Sequence, residues 1–383
     1  MDRTNKFVIK KELLYLIFYS SFSAYWFSTY VLSATKLDLT IFNNILFVVG
    51  FAFFAIAWIL EKNSVKEYII QVLFFTFLIF IFIGSGGVDQ GILIIFPMIV
   101  GMKNTRIKRV TRIMFITYIV LFIFLILLST FGIVENTIYT KKGTYENYKT
   151  LQLGGVNANI IFIIIFALIS LYLYTYSEKI SFIKCCILQL LCIVAYFLFY
   201  SRTGVVTTSA EIWGSYIISK NINFNRIKFK KSKINNFILK HSYFIFYLFI
   251  YIVGKYFFYT GFAQFLNKLV TSRIFEVNYY VNNFGVGLFP KYVLYYACDN
   301  SQTIMFVSYG LIYTFIFLYL HYRTISVFIQ KSKRLEIFFM IIFLIYSYSE
   351  FALLKPFANF GMLFLIYAFY PNRNIDDKVE RKV

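Results

Sequence analysis

The sequence predicts an all-α, polytopic membrane protein with about twelve transmembrane helices and a long extracytoplasmic loop between spans nine and ten. Three observations carry this. Runs of about 20 apolar residues recur along the whole chain, and that is the length a helix needs to cross ~30 Å of hydrocarbon. The chain of 383 residues is 60% hydrophobic and only 14% charged, more apolar than a soluble core of this size requires. Lysine and arginine gather in alternate connecting segments, as they do on the cytoplasmic side of membrane proteins. Continuous apolar runs also exclude a β-barrel, whose strands alternate over ~10 residues.

The first span, 13–34, follows Lys10-Lys11 and is too long for a signal-peptide core, so it reads as an uncleaved helix. Spans two and three cover 41–60 and 68–84. The fourth, 88–102, is short and starts behind Gly84-Ser85-Gly86-Gly87, which suits a re-entrant segment as well as a crossing. Spans five to nine are 113–134, 154–176, 182–200, 203–219 and 241–260, and the tenth is 300–321. The last two, 336–352 and 356–370, are separated by Lys355-Pro356 and read equally as a broken pair. No repeat divides the chain, so 1–383 is expected to form one integral membrane domain.

With both termini cytoplasmic, 28 of the 38 Lys and Arg fall inside. The basic loops 103–112, 220–240 and 322–334 hold many of them. The net charge of +21 is then a cytoplasmic surface facing anionic lipid and requires no nucleic acid. Two outer loops stand out, 135–153 and 261–299. The second begins FAQFLNKLVTSRIFEVNYYV, where Phe262, Phe265, Leu266, Leu269 and Val270 share one helical face. That segment is expected to lie on the membrane surface or cap the bundle, and to carry little of its packing.

Cys185, Cys186 and Cys192 share one apolar run and Cys298 stands alone on a loop, so neither disulfides nor a metal cluster are expected. His241 and His321 fall at the cytoplasmic ends of their spans. No HExxH, CxxC, phosphate-binding loop or GxSxG pattern occurs.

Several polar residues need explaining. Arg202, at the outer end of span seven, is either a snorkelling anchor or an anion clamp. Glu211 lies nine residues on, which is ~13 Å deeper and on the opposite helix face, so it does not pair with Arg202. Asn157 and Asn159 open span six and bond either to neighbouring helices or to substrate hydroxyls. Arg273 and Glu276, three apart, are helix neighbours that could be a simple surface ion pair. Asp299-Asn300-Ser301 stands where a cap for span ten is expected. The outer loops are rich in tyrosine (Tyr139, Tyr145, Tyr148, Tyr279, Tyr280, Tyr292, Tyr295, Tyr296), which serves either sugar stacking or interface anchoring.

The order of these elements resembles the Wzy-type O-antigen and capsule polymerases and the related O-antigen ligases. The elements are Gly154-Gly155-Val156-Asn157-Ala158-Asn159, then Ser201-Arg202-Thr203-Gly204, then a basic inner loop. A long outer loop follows with Arg273, Gly285-Val286-Gly287 and Asp299-Asn300-Ser301, then Tyr309-Gly310-Leu311. The resemblance covers roughly 150–365. It implies a glycosyltransferase of the bacterial cytoplasmic membrane that joins oligosaccharide repeat units carried on undecaprenyl pyrophosphate. It implies no metal and no other cofactor, and partner proteins such as a flippase and a chain-length regulator. It further implies that Arg202 and Arg273 bind the pyrophosphate, that Asp299 acts at the reacting sugar, and that Asn300, Asn157, Asn159 and Glu276 contact substrate. The ligases place a histidine where this chain has Asp299, which favours a polymerase. A lipid-linked oligosaccharide flippase and a ligase of finished chains remain as other readings.

Overall fold

In a computed structural model the chain is described over residues 3–35, 37–87, 91–142, 147–220, 233–269, 272–293, 298–350, 353, 355 and 358–373. Helices follow the apolar runs. They are α1 (Arg3–Tyr30), α2 (Thr40–Ile59), α3 (Val65–Gly84), α4 (Gly91–Val100) and α5 (Ile107–Thr130). After these come α6 (Ala158–Thr175), α7 (Phe182–Phe199), α8 (Arg202–Lys220), α9 (Lys233–Lys240) and α10 (Ser242–Tyr256). The last are α11 (Gly261–Leu269), α12 (Arg273–Phe284), α13 (Ser301–Gln330), α14 (Arg334–Ser349) and α15 (Phe360–Phe369).

Among the described residues six helices, α2, α3, α5, α6, α7 and α13, are long and apolar enough to cross a membrane. They become seven if α9 and α10, bent by 63°, form one span. The chain is therefore a helical, membrane-embedded protein. Of the other expected spans, α1 and α8 are long but interleave serine and threonine with apolar residues, whereas α4 and α15 are short.

Local chemistry sets several helix starts. Ser64 and Glu67 form a capping box on α3: Ser64 Oγ accepts from the Glu67 N–H at 3.3 Å and Glu67 Oε2 from the Ser64 N–H at 2.7 Å. Asn157 caps α6, Ser181 caps α7 and Asn300 caps α13.

One element departs from the all-helical expectation. Within 135–153, β1 (Thr137–Lys142) pairs antiparallel with β2 (Asn147–Gln152), in the register Thr137↔Gln152 to Lys142↔Asn147. Its threonine- and tyrosine-containing strands favour an extended backbone, but each is too short to stand out against the apolar runs.

The chain packs as two compact units. The first comprises Met1–Lys62 and Gly101–Lys220, with Asn374–Val383 outside the described residues; the second comprises Asn63–Val100 and Asn221–Arg373. In the first, α6 is central: 72% of its apolar window is buried, against 17% for α2 and 22% for α7. The outer sides of the peripheral helices are themselves apolar, as with Ile187, Leu190 and Phe197 of α7. Such faces are costly in water and ordinary in hydrocarbon.

In the second unit α13 is the enclosed helix, again with 72% of its window buried. It runs to Gln330, beyond the expected end of span ten at 321, because Thr324, Ile325 and Phe328 are fully buried. Helices α10, α11 and α12 meet at Val253, Ala263 and Ile274, with Leu266 packed against them. Leu266 and Ala263 thus turn inward, whereas Phe262 and Phe265 stay exposed. Leu269 is described only by its backbone and Val270 lies outside the described residues.

Candidate functional site

Four of the loop residues singled out in the sequence converge in the second unit. Arg273 opens α12 and is buried, 9% exposed. Its Nε donates to the Ser349 carbonyl at 2.8 Å. Nη1 donates to Glu276 Oε1, and Nη2 lies 2.8 Å from Asp299 Oδ2. Glu276, one turn further along α12, is equally buried. Its Oε2 accepts the backbone N–H groups of Asp299 at 3.0 Å and Asn300 at 3.2 Å.

Asn300 is fully buried. Its Oδ1 caps α13 by accepting from the Thr303 N–H at 2.9 Å, and its Nδ2 donates to the Tyr348 carbonyl at 3.2 Å. Ser301 Oγ donates to the Glu350 carbonyl at 3.2 Å and accepts the Leu353 N–H at 3.2 Å. The starts of α12 and α13 are thereby tied to the end of α14. The segment 261–299 was expected to carry little packing; it carries a buried polar core instead. The surface-pair reading of Arg273 and Glu276 also fails, since both are buried.

The electrostatics follow from this burial. Desolvation opposes the charge on Arg273, but Glu276, Asp299 and Glu350 outweigh it and hold the guanidinium firmly protonated. Burial raises the Cys298 thiol well above its ordinary value, which leaves it a poor nucleophile. Asp299 alone of the cluster is open, its side chain 45% exposed. The arrangement is a buried cation neutralised by Glu276, with one solvent-facing carboxylate, Asp299, placed to accept a proton.

A second convergence joins Gly285-Val286-Gly287 to Tyr309-Gly310-Leu311. Helix α13 passes through a π turn at Met305–Tyr309 and breaks at Gly310, whose φ is +82°. At the break, the N–H of Leu311 donates to the Gly287 carbonyl at 2.9 Å, and that of Ile312 to the Leu288 carbonyl at 3.2 Å. The N–H of Lys291 donates to the Ser308 carbonyl at 2.8 Å. A Cβ on residue 310 would lie 2.7 Å from the Leu288 carbonyl oxygen, so only glycine fits. The loop after α12 thus docks against the interrupted span.

The remaining candidates lie in the first unit. Asn157 is exposed and its Oδ1 accepts the Asn159 N–H at 2.9 Å; Asn159 is half-buried. Arg202 is the exposed first residue of α8. Its Nη2 donates to Tyr200 Oη at 2.8 Å, and its guanidinium carbon lies 5.2 Å from the Tyr200 ring centre. Tyr200 ends α7 in the left-handed region at φ 50°. Glu211 is fully buried; Ser170 Oγ donates to its Oε1 at 2.6 Å, and among the described residues Oε2 has no hydrogen-bond partner.

His321 is buried inside α13, with the Tyr243 and Phe317 rings 4.1 and 4.2 Å away. Tyr139, Tyr279 and Tyr292 are exposed, Tyr280 is buried, Tyr148 is described only by its backbone, and Tyr145, Tyr295 and Tyr296 lie outside the described residues. Residues 221–232 of the basic loop also lie outside them. The four cysteines are free, and among the described residues no three His, Cys, Asp or Glu side chains converge as metal ligands. Sequence reasoning did not reach the Ser349 and Tyr348 carbonyls or Lys291. Backbone acceptors leave no residue-type signal.

Fold and composition together define the class: an all-α protein embedded in a membrane. Beyond that class, no family model, characterised protein or solved structure matches the chain.

Proposed function

We propose that this chain is a polysaccharide polymerase, a membrane glycosyltransferase that joins undecaprenyl-pyrophosphate-linked repeat units on the outer face of the bacterial cytoplasmic membrane. In this reading it crosses the membrane about twelve times with both termini cytoplasmic, and 261–299 is an outer loop. The observation that carries the reading is the buried Arg273–Glu276 pair with the half-exposed Asp299 upon it. It supports the resemblance to the Wzy-type polymerases, in which a loop arginine is followed by an Asp-Asn-Ser step.

The chemistry is glycosyl transfer: an acceptor hydroxyl attacks the anomeric carbon, the bond to pyrophosphate breaks, and the acceptor proton leaves. The Asp299 carboxylate occupies one edge of the Arg273 guanidinium. Donor pyrophosphate takes that edge, where arginine's planar fork suits it. Asp299 is thereby released to accept the acceptor's proton. Glu276 stays bonded to Asp299 and Asn300 and holds both in position. Arg202 is a further phosphate ligand, and Asn157 and Asn159 are sugar-binding candidates, on the first unit.

A flippase is the second reading. Glu211 favours it, as a buried mid-helix carboxylate with one oxygen unpartnered among the described residues. Mass spectrometry of lipid-linked and surface glycan in a deletion strain separates the readings. Loss of a polymerase leaves single-repeat products, loss of a flippase leaves none at the surface, and loss of a ligase leaves lipid-linked polymer. Normal polymer length in the deletion strain defeats the proposal.

A further inference from the structure

In the first unit, helix α8 turns apolar residues outward and polar ones inward. Val206 and Ile217 are exposed. Ser201, just before the helix, and Gly204, Thr208, Glu211 and Ser215 recur at steps of three and four, which places them on one face. All five are buried. At ~1.5 Å per residue the row is ~21 Å long, about two-thirds of a ~30 Å hydrocarbon core. Gly204 lets α8 approach α6 closely, since a Cβ there would strike the Phe162 ring. Further along the same two helices, Ser170 Oγ reaches Glu211 Oε1 at 2.6 Å.

The row is satisfied at Thr208, whose Oγ1 donates to the Gly204 carbonyl at 2.7 Å. One turn on it is not. Among the described residues Glu211 Oε2 and Ser215 Oγ are buried atoms with no hydrogen-bond partner, although both side chains belong to fully buried residues one turn apart on α8. The carboxyl is unsatisfied in either state. Charged, Oε2 is a buried anion without a donor; neutral, its O–H is a buried donor without an acceptor. The elements packed on α8 bring no countercharge to this depth. Helix α6 carries no charged residue, α7 carries Lys184 near its start, and α8 has Arg202 and Lys220 at its ends. The turn Ser177–Lys179 holds Lys179 and Glu178, and Glu178 is bonded to Lys108. Cys192 of α7 is the ionisable neighbour that feels the Glu211 charge.

We infer that Glu211 and Ser215 of α8, with Ser170 of α6, form a binding site for a monovalent cation, a proton or Na⁺, inside the first unit. One carboxylate buried among apolar helices is neutralised by one positive charge, whereas a divalent ion would leave the site net positive at a high desolvation cost. Carboxylate and hydroxyl oxygens are hard donors, which suit such a cation. The site stands apart from the residues assigned to phosphate and sugar, so it holds whether the chain polymerises lipid-linked sugars or moves them.

The test uses the full chain in phosphatidylcholine nanodiscs and follows the C=O stretch of protonated carboxyl groups by difference infrared spectroscopy. Glu211 is read as the band that Glu211→Gln removes, and that variant keeps an acceptor for Ser170. Raising the pH is expected to abolish the band in the wild-type protein. If Na⁺ is the ligand, replacing choline chloride with sodium chloride abolishes it at fixed pH as well, and the midpoint falls by ~1 pH unit for each tenfold rise in Na⁺ above its dissociation constant. A midpoint that is the same in both salts assigns the site to the proton. Ser215→Ala removes an oxygen from the site and changes cation affinity at least about tenfold, read as ~1 pH unit of midpoint. Val206→Ala, on the exposed side of α8, leaves the midpoint in place. A band that persists from acid to alkaline pH in both salts overturns the inference, because Glu211 is then a permanently neutral packing group. An unmoved midpoint in Ser215→Ala overturns the site as composed. No glycan is measured, so failure here leaves the polymerase standing, and normal polymer in the deletion strain leaves this site standing.

Discussion

Nη2 of Arg273 lies 2.8 Å from Oδ2 of Asp299, joining the first turn of α12 to the residue that precedes the cap of α13. The contact is half open to solvent, and Glu276 remains on Arg273 when it breaks. Asp299→Asn is therefore expected to cost only ~0–1 kcal/mol of stability, as an exposed pair does. Loss of a positioned proton acceptor should lower polymerisation by ~10²–10⁴-fold. Melting temperature and lipid-linked glycan length, measured on the same preparation, check both halves. Full-length polymer from Asp299→Asn removes this residue from the mechanism.

The partner inside the cluster behaves differently. Arg273→Ala leaves Glu276 buried without its countercharge, which costs ~3–5 kcal/mol. Lower yield and a lower melting temperature are expected, so lost activity in this variant alone proves nothing about phosphate binding. Arg273→Met with Glu276→Gln removes both charges and keeps an acceptor for the Asp299 and Asn300 N–H groups. That pair should recover most of the stability while activity stays absent. Activity in the stable double variant would show that the cluster serves folding alone.

Gly310 offers a test of the interrupted span. Alanine there meets both a left-handed backbone and a carbonyl oxygen 2.7 Å from its Cβ. Gly132 shares a positive φ of 70°, but a Cβ added there would meet nothing within 4 Å. Gly132→Ala should therefore cost only the ~1–2 kcal/mol of the strained backbone. Gly310→Ala should cost clearly more and loosen the loop after α12. Thermal melting and proteolysis within 285–293 compare the two; equal effects would mean that the loop does not depend on the break.

A pH effect is expected at the connection between α6 and α7. Lys108 Nζ donates to Glu178 Oε1 at 2.6 Å and holds its carboxyl below the ordinary range. Because the folded value is the lower one, the pair's contribution is complete above the unfolded carboxyl pKa of ~4.3 and fades as pH falls below it. Glu178 is 72% exposed, so the contribution is ~0–1 kcal/mol. Glu178→Gln should lower the melting point slightly at neutral pH and leave it unchanged in acid. A difference that grows on acidification would contradict the pairing.

Membrane class and the position of most helices were legible in the chain alone. The span expected at 182–200 is the helix Phe182–Phe199, and that at 41–60 is Thr40–Ile59. A run of apolar side chains is a local property, and the bilayer requires each crossing segment to satisfy its own backbone hydrogen bonds. The residues of the second-unit cluster were legible as types, because arginine, glutamate and aspartate are conspicuous in so apolar a chain. Their arrangement was not. Arg273 is held by the Ser349 carbonyl, Asn300 by the Tyr348 carbonyl, and the break at Gly310 by the Gly287 and Leu288 carbonyls. Every residue carries a carbonyl, so no sequence pattern distinguishes the ones that are used. Burial of Arg273 and the extension of α13 to Gln330 likewise depend on which segments meet. Those contacts join residues far apart in the chain, and only the packed tertiary structure decides them.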